Sequence, residues 1–168
     1  ELGFKAHPLA PCVVIMYETI NGVPDAFSGL VCVETDDLLG GGIGSKYLSA
    51  IESLRKTYTF GKWKVLQETS TEYGGRTLKQ LPDYSFHISM TRYLREKAKE
   101  IKLERGRGKD PKALANAGEI TQMRGVNGKL NWASREGMPQ GAGDASLLSS
   151  TLPTPTVKDL QEANAALK

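Results

Sequence analysis

Asp36 and Asp37 are adjacent carboxylates placed directly after the apolar residues Leu30, Val31, Cys32 and Val33 and directly before Leu38 and Leu39. Two neighbouring anions at a strand end repel each other unless cations or solvent offset the charge. Two readings follow. One is an ordinary solvated acidic turn. The other is a pair of hard oxygen ligands for magnesium, which takes one or two carboxylates together with substrate phosphates. Two-metal phosphoryl transfer needs such ligands held at a rigid strand end, with at least one further carboxylate from elsewhere in the chain.

No other pattern in the chain carries a competing chemistry. The glycines between positions 40 and 44 lack the order of a phosphate loop, because Ser45 precedes Lys46 rather than following it. The aspartates just upstream would also repel a phosphate, so the glycines read as a turn. His7 and His87 have no partner at metal-ligand spacing. Cys12 and Cys32 lie in apolar, β-like runs and read as small buried hydrophobes, with a disulfide between adjacent strands as the less favoured alternative. No local signature assembles a hydrolase triad or an activated thiol. Residues 92–112 hold nine basic residues against Glu96, Glu100, Glu104 and Asp110. That excess suits contact with a phosphate backbone, and equally a solvated helix face followed by a mobile loop.

A carboxylate pair of this kind needs a sheet to hold it and a helix to back the sheet. The chain has 168 residues, 39% hydrophobic and 24% charged, with 18 glycines and a formal charge of +3. That is enough apolar content for a lean core, and it excludes a fully disordered chain, a collagen-like repeat and a disulfide-dense scaffold. The apolar runs are too short for a transmembrane helix, and no leader precedes Glu1, so an intracellular chain without a membrane span is expected. Both ends read as cut from something longer.

Residues 12–17 and 27–34 read as strands around a turn cluster, Asn21, Gly22, Val23, Pro24 and Asp25, which makes an antiparallel hairpin. Gly40, Gly41 and Gly42 then break the chain. Ser45 is expected to N-cap a helix with Tyr47, Leu48, Ile51, Leu54 and Tyr58 as its core stripe. Residues 63–66 and 71–78 read as strands, with Gly74 and Gly75 as a bulge. Residues 84–90 alternate as a strand entered through the turn at Pro82 and Asp83. Thr91 is expected to cap a helix with Leu94, Ala98 and Ile101 on its apolar side. Residues 104–111 read as a charged linker and the one subdomain boundary. Helices over 119–135, 144–150 and from Thr156 onward complete the order, which predicts an α+β fold with strands first and helices later.

Leu2-Gly3-Phe4 with Pro11-Cys12 behind it, the apolar lead into Asp36-Asp37, Tyr73-Gly74-Gly75 and Tyr93-Leu94 stand in a familiar order. Arg124, Gly128, Leu130, Trp132, Arg135, Pro139, Ala142, Ser146 and Leu148-Ser149 follow without gaps, and then Pro155, Asp159-Leu160 and Ala163-Asn164. Over most of its length the chain thereby resembles the reverse transcriptase of copia-type LTR retrotransposons. The resemblance implies an antiparallel palm-like sheet with a packed helix and the start of the thumb over 1–104. Over 105–168 it implies a helical thumb and connection segment leading toward ribonuclease H. It implies an RNA-directed DNA polymerase in which Asp36 binds catalytic magnesium and Asp37 assists. Arg92, Arg95, Lys99, Lys102, Arg105 and Arg107 would then touch an RNA/DNA template–primer duplex, with a deoxynucleoside triphosphate as substrate. The implied partners are upstream fingers and palm segments and the downstream ribonuclease H. The chain departs from the family at Glu34-Thr35, where the family has Tyr-Val, and at Met138 and Gln140, which replace the Arg and Asp of an Arg-Pro-Asp motif. The first catalytic aspartate and the fingers belong upstream of Glu1. The chain alone is therefore expected not to polymerise, and a retroelement-derived structural or binding module is the alternative.

Overall fold

A computed structural model describes residues 2–168. It divides into two compact units, Glu1–Val65 and Leu66–Lys168, so positions 104 and 105 both lie within the second. The first unit is a four-stranded antiparallel meander in chain order: β1 (Lys5–His7), β2 (Ala10–Ile20), β3 (Val23–Glu34) and β4 (Asp37–Gly42). Helix α1 (Ser45–Thr57) follows. Strands β2 and β3 meet through Asn21 and Gly22 alone, at φ 50° and 81°. Two successive positive φ values match the twist of paired strands, which is why Asn-Gly makes a tight hairpin. Val23, Pro24 and Asp25 therefore belong to β3 and not to a longer turn. A register shift between Glu18 and Ile20 absorbs the irregularity that Asp25, at φ 51°, introduces.

The glycines at 40–42 extend β4 instead of breaking the chain. Their cause is space. Gly29 pairs with Gly42 and Val31 with Gly40 across β3 and β4, which makes a flat seat on the sheet. Tyr47 of α1 lies on that seat, 4% exposed, with its hydroxyl donating to the Leu30 carbonyl at 3.3 Å. A Cβ added at Gly29 would stand 2.5 Å from the Tyr47 ring, and one at Gly42 would stand 2.7 Å from it. Around this contact Met16, Val31, Tyr47 and Ala50 form the core, with Phe4, Val14, Leu38 and Ile51 packed against it. Leu48 and Tyr58, expected in the core stripe, stay exposed.

The N-cap of α1 is Gly44, not Ser45, and it supplies no side-chain bond. The Glu18 carboxylate on β2 accepts instead from the N–H groups of Lys46 and Tyr47, at 3.1 Å each. Those donors have no partner within the helix, and an anion suits the positive end of the helix dipole.

In the second unit β5 (Thr71–Tyr73), β6 (Arg76–Gln80) and β7 (Phe86–Ser89) make a three-stranded antiparallel sheet. Gly74 and Gly75, at φ 54° and 77°, turn β5 into β6 rather than bulging a single strand. Residues 63–66 form no strand. Four helices follow: α2 (Thr91–Lys97), α3 (Ala117–Glu136), α4 (Ala142–Thr151) and α5 (Val157–Ala165). Helix α3 opens with a capping box in which Asn116 and Glu119 satisfy each other's backbone N–H groups. Met123, Val126 and Leu130 of α3 pack with Ala145 and Leu148 of α4 and with Leu160 and Ala163 of α5. Full burial of a Met or Leu side chain contributes roughly 1.5–3 kcal/mol each.

Helix α2 stops at Lys97, short of Ile101. Ile101 nevertheless enters this core from an extended stretch, 98–104. Its N–H donates to Asn164 Oδ1 at 2.7 Å, and Asn164 Nδ2 donates back to its carbonyl at 3.0 Å. One carboxamide thus replaces the backbone partner that a helix or strand would have supplied. Among the described residues the fold is α+β, with antiparallel sheets and five α-helices. Among the described residues no helix is long and apolar enough to cross a membrane.

Candidate functional site

Strands β3 and β4 are joined by Thr35 and Asp36, and Glu34 and Asp37 are the last pair of the ladder. Asp36 stands in the turn and Asp37 begins β4, both exposed. Thr35 sits at φ 56°. A β-branched residue in the left-handed region is adverse, and such a conformation costs about 1–3 kcal/mol unless the surroundings over-determine it. Here the ladder does so, through Val33–Leu38 and Cys32–Leu39, and Val31 and Leu38 anchor the hairpin in the core beneath Tyr47. The aspartates therefore project from a stiff strand end. Glu34 lies directly opposite Asp37, so the pleat puts two carboxylates of like charge on one face near the tip.

The resemblance implies magnesium at this tip. Exposed carboxylate oxygens suit that ion. Among the described residues, however, no group of three or more His, Cys, Asp or Glu side chains is arranged to hold a metal.

The basic residues do not share one helix face, because α2 ends at Lys97. Arg92 and Arg95 are exposed on α2, and Arg92 pairs with Glu96 at 2.7 Å and Glu72 at 3.3 Å. Lys99 and Lys102 are exposed on the extended stretch, and Arg105 on the turn after it. Arg107 has a structural task. Its Nε and a terminal nitrogen donate to the two Glu119 oxygens at 2.7 and 2.8 Å, and a further bond of 2.8 Å reaches the Leu114 carbonyl. Glu119 is buried, and the Arg107 hydrogen bonds hold its carboxyl below the usual range. Residues 104–111 are thereby pinned, with a 3-10 turn at Arg107–Lys109, and do not form a free linker.

The cysteines do not meet. Val13 pairs with Cys32, so Cys32 shares a face with Val13 while Cys12 lies on the opposite one. Both thiols are free, and Cys12 is exposed rather than buried.

Sequence reasoning passed over a second cluster. Trp63, expected in a strand, stands in irregular chain with its ring 5.3 Å from Phe60, edge to face. The Arg55 guanidinium lies 5.4 Å over the same ring. Its legible signal is composition: Arg55, Lys56, Lys62 and Lys64 alternate with Tyr58, Phe60 and Trp63, and no Asp or Glu falls between Glu52 and Glu68. Comparison of the chain with models of known protein families, with curated proteins and with solved structures finds no match.

Proposed function

We propose that the chain is part of an RNA-directed DNA polymerase of the copia-type retrotransposon class, with Asp36 and Asp37 as its carboxylate tip. The observation that carries this reading is the position of the pair at a two-residue hairpin turn, with left-handed Thr35 beside it and a packed core behind it. Strained backbone held by a rigid scaffold is a feature of functional sites. In this reading β2, β3, β4 and α1 are the palm-like sheet with its packed helix. The helices of 105–168 are the thumb and connection. Arg92, Arg95, Lys99, Lys102 and Arg105 lie along the template–primer backbone, where they neutralise phosphates. Asp36 and Asp37 would hold magnesium, which when bound neutralises and orients the attacking and leaving oxygens of a nucleotidyl transfer. In this reading two carboxylates are only part of a magnesium cage, and this chain by itself does not extend a primer.

A second reading is a retroelement-derived module without catalysis. The specific observation in its favour is Glu34, which sets a negative charge opposite Asp37 where the family carries an aromatic residue.

Primer extension on an RNA template tests both. The chain is assayed alone and joined to the reading frame upstream of Glu1, each with and without Asp36→Ala. The polymerase reading expects extension only by the longer form, and a fall of at least about a hundredfold with Asp36→Ala. Inactivity of the longer form with salt-sensitive duplex binding retained would instead leave a binding module.

A further inference from the structure

We propose that the end of α1 and the chain after it, residues 53–65, form a binding site for single-stranded nucleic acid. The site is built from residues other than those of the aspartate hairpin. It stands on the first unit's own surface and does not depend on the polymerase reading.

Trp63 is 40% exposed and Tyr58 is 61% exposed, on a stretch that buries neither. Large aromatics left in water beside cations call for a ligand with flat faces and negative charge. Arg55 above the Trp63 indole and Phe60 at its edge hold the ring in one orientation, so little side-chain entropy remains to be lost when a base stacks. Lys56 pairs with Glu52 at 3.5 Å across one helical turn. Among the described residues no ion pair engages Arg55, Lys62 or Lys64, which leaves these cations for phosphates. A duplex hides its base faces in its own stack, whereas a single strand offers them. A membrane surface shares the taste for Trp, Tyr and Lys but calls for a continuous apolar face. Here Thr57, Thr59, Gly61 and the lysines interrupt the aromatics.

Fluorescence anisotropy of a labelled oligothymidylate of about 12 nucleotides, titrated with the full chain, tests the proposal. Saturable binding that weakens with salt is expected. Trp63→Ala should weaken it by about tenfold to a hundredfold, and Trp63→Phe should retain most of it. The double variant Lys62→Ala, Lys64→Ala should flatten the log–log salt slope by about 1.4. Trp132→Ala, which removes a comparably exposed tryptophan from α3, should change nothing. Unchanged affinity in folded Trp63→Ala overturns the proposal. If circular dichroism shows that variant unfolded, Tyr58→Ala decides, and unchanged affinity there overturns it equally. Binding to phosphatidylserine vesicles without binding to the oligonucleotide overturns it in favour of a membrane surface.

Discussion

At the residue scale the first unit turns on one contact, Tyr47 against Gly29 and Gly42. Tyr47 is buried, and burial pushes its phenol above the ordinary value. Gly29→Ala is expected to destabilise the first unit by about 1–3 kcal/mol, because the new methyl group meets the ring and the Gly41 carbonyl oxygen together. Combining it with Tyr47→Leu should recover part of that loss. Urea melts of the two single variants and the double variant give the coupling, expected at about 0.5–3 kcal/mol. Additive losses would show that the ring is not what the glycine accommodates. Arg107 makes a second residue-scale case. Arg107→Ala leaves the buried Glu119 carboxylate without its main donor, so the melting temperature should fall and Glu119 should titrate at higher pH. Carboxyl-resolved NMR titration reads the second effect directly.

At the element scale, α1 and α3 begin where a side chain satisfies their first N–H groups. Helix α3 caps itself locally, through Asn116 and Glu119. Asn116→Ala should cost about 1 kcal/mol, or about 4–8 °C for a unit of this size, read by thermal denaturation. Helix α1 is capped from a distance, by Glu18 on β2. A local cap is written in neighbouring residues and can be read from them. A distant one exists only after the sheet has formed. The same distinction covers Ile101, which an Asn164 carboxamide holds in the core although α2 has already ended.

At the scale of the whole molecule, each compact unit contains a carboxylate whose folded pKa is depressed. For Glu18 burial pushes upward, and the Lys46 and Tyr47 N–H groups with the Lys46 charge outweigh it. For Glu119 the Arg107 bonds dominate. A depressed carboxylate binds fewer protons when folded than when unfolded. Its stabilisation is therefore present above the ordinary glutamate value of 4.5 and is lost as pH falls through the folded pKa. Stability should be flat in this respect above that value and should decline below it. Glu18→Gln should flatten the decline for the first unit, as followed by hydrogen exchange of α1. An unchanged acid slope in that variant would remove Glu18 from the account.

The sequence by itself determined what depends on neighbours along the chain. The Asn-Gly turn at Asn21-Gly22, the helical periodicity of Met123, Val126 and Leu130 and the acidic pair after an apolar strand are all local patterns, and so is the cap at Asn116, although the expected helix began only at Glu119. Their chemistry is complete within a few residues. Only the tertiary structure decided what depends on partners far apart. It turned Gly40 and Gly42 from part of a break into the seat of Tyr47, and a charged linker into the Arg107–Glu119 clamp. It ended α2 before Ile101, set Cys12 and Cys32 on opposite faces, and placed Arg55 over Trp63. The physical reason is common to these cases. Close approach, desolvation and pairing are properties of two surfaces brought together, and a single stretch of chain carries only one of them.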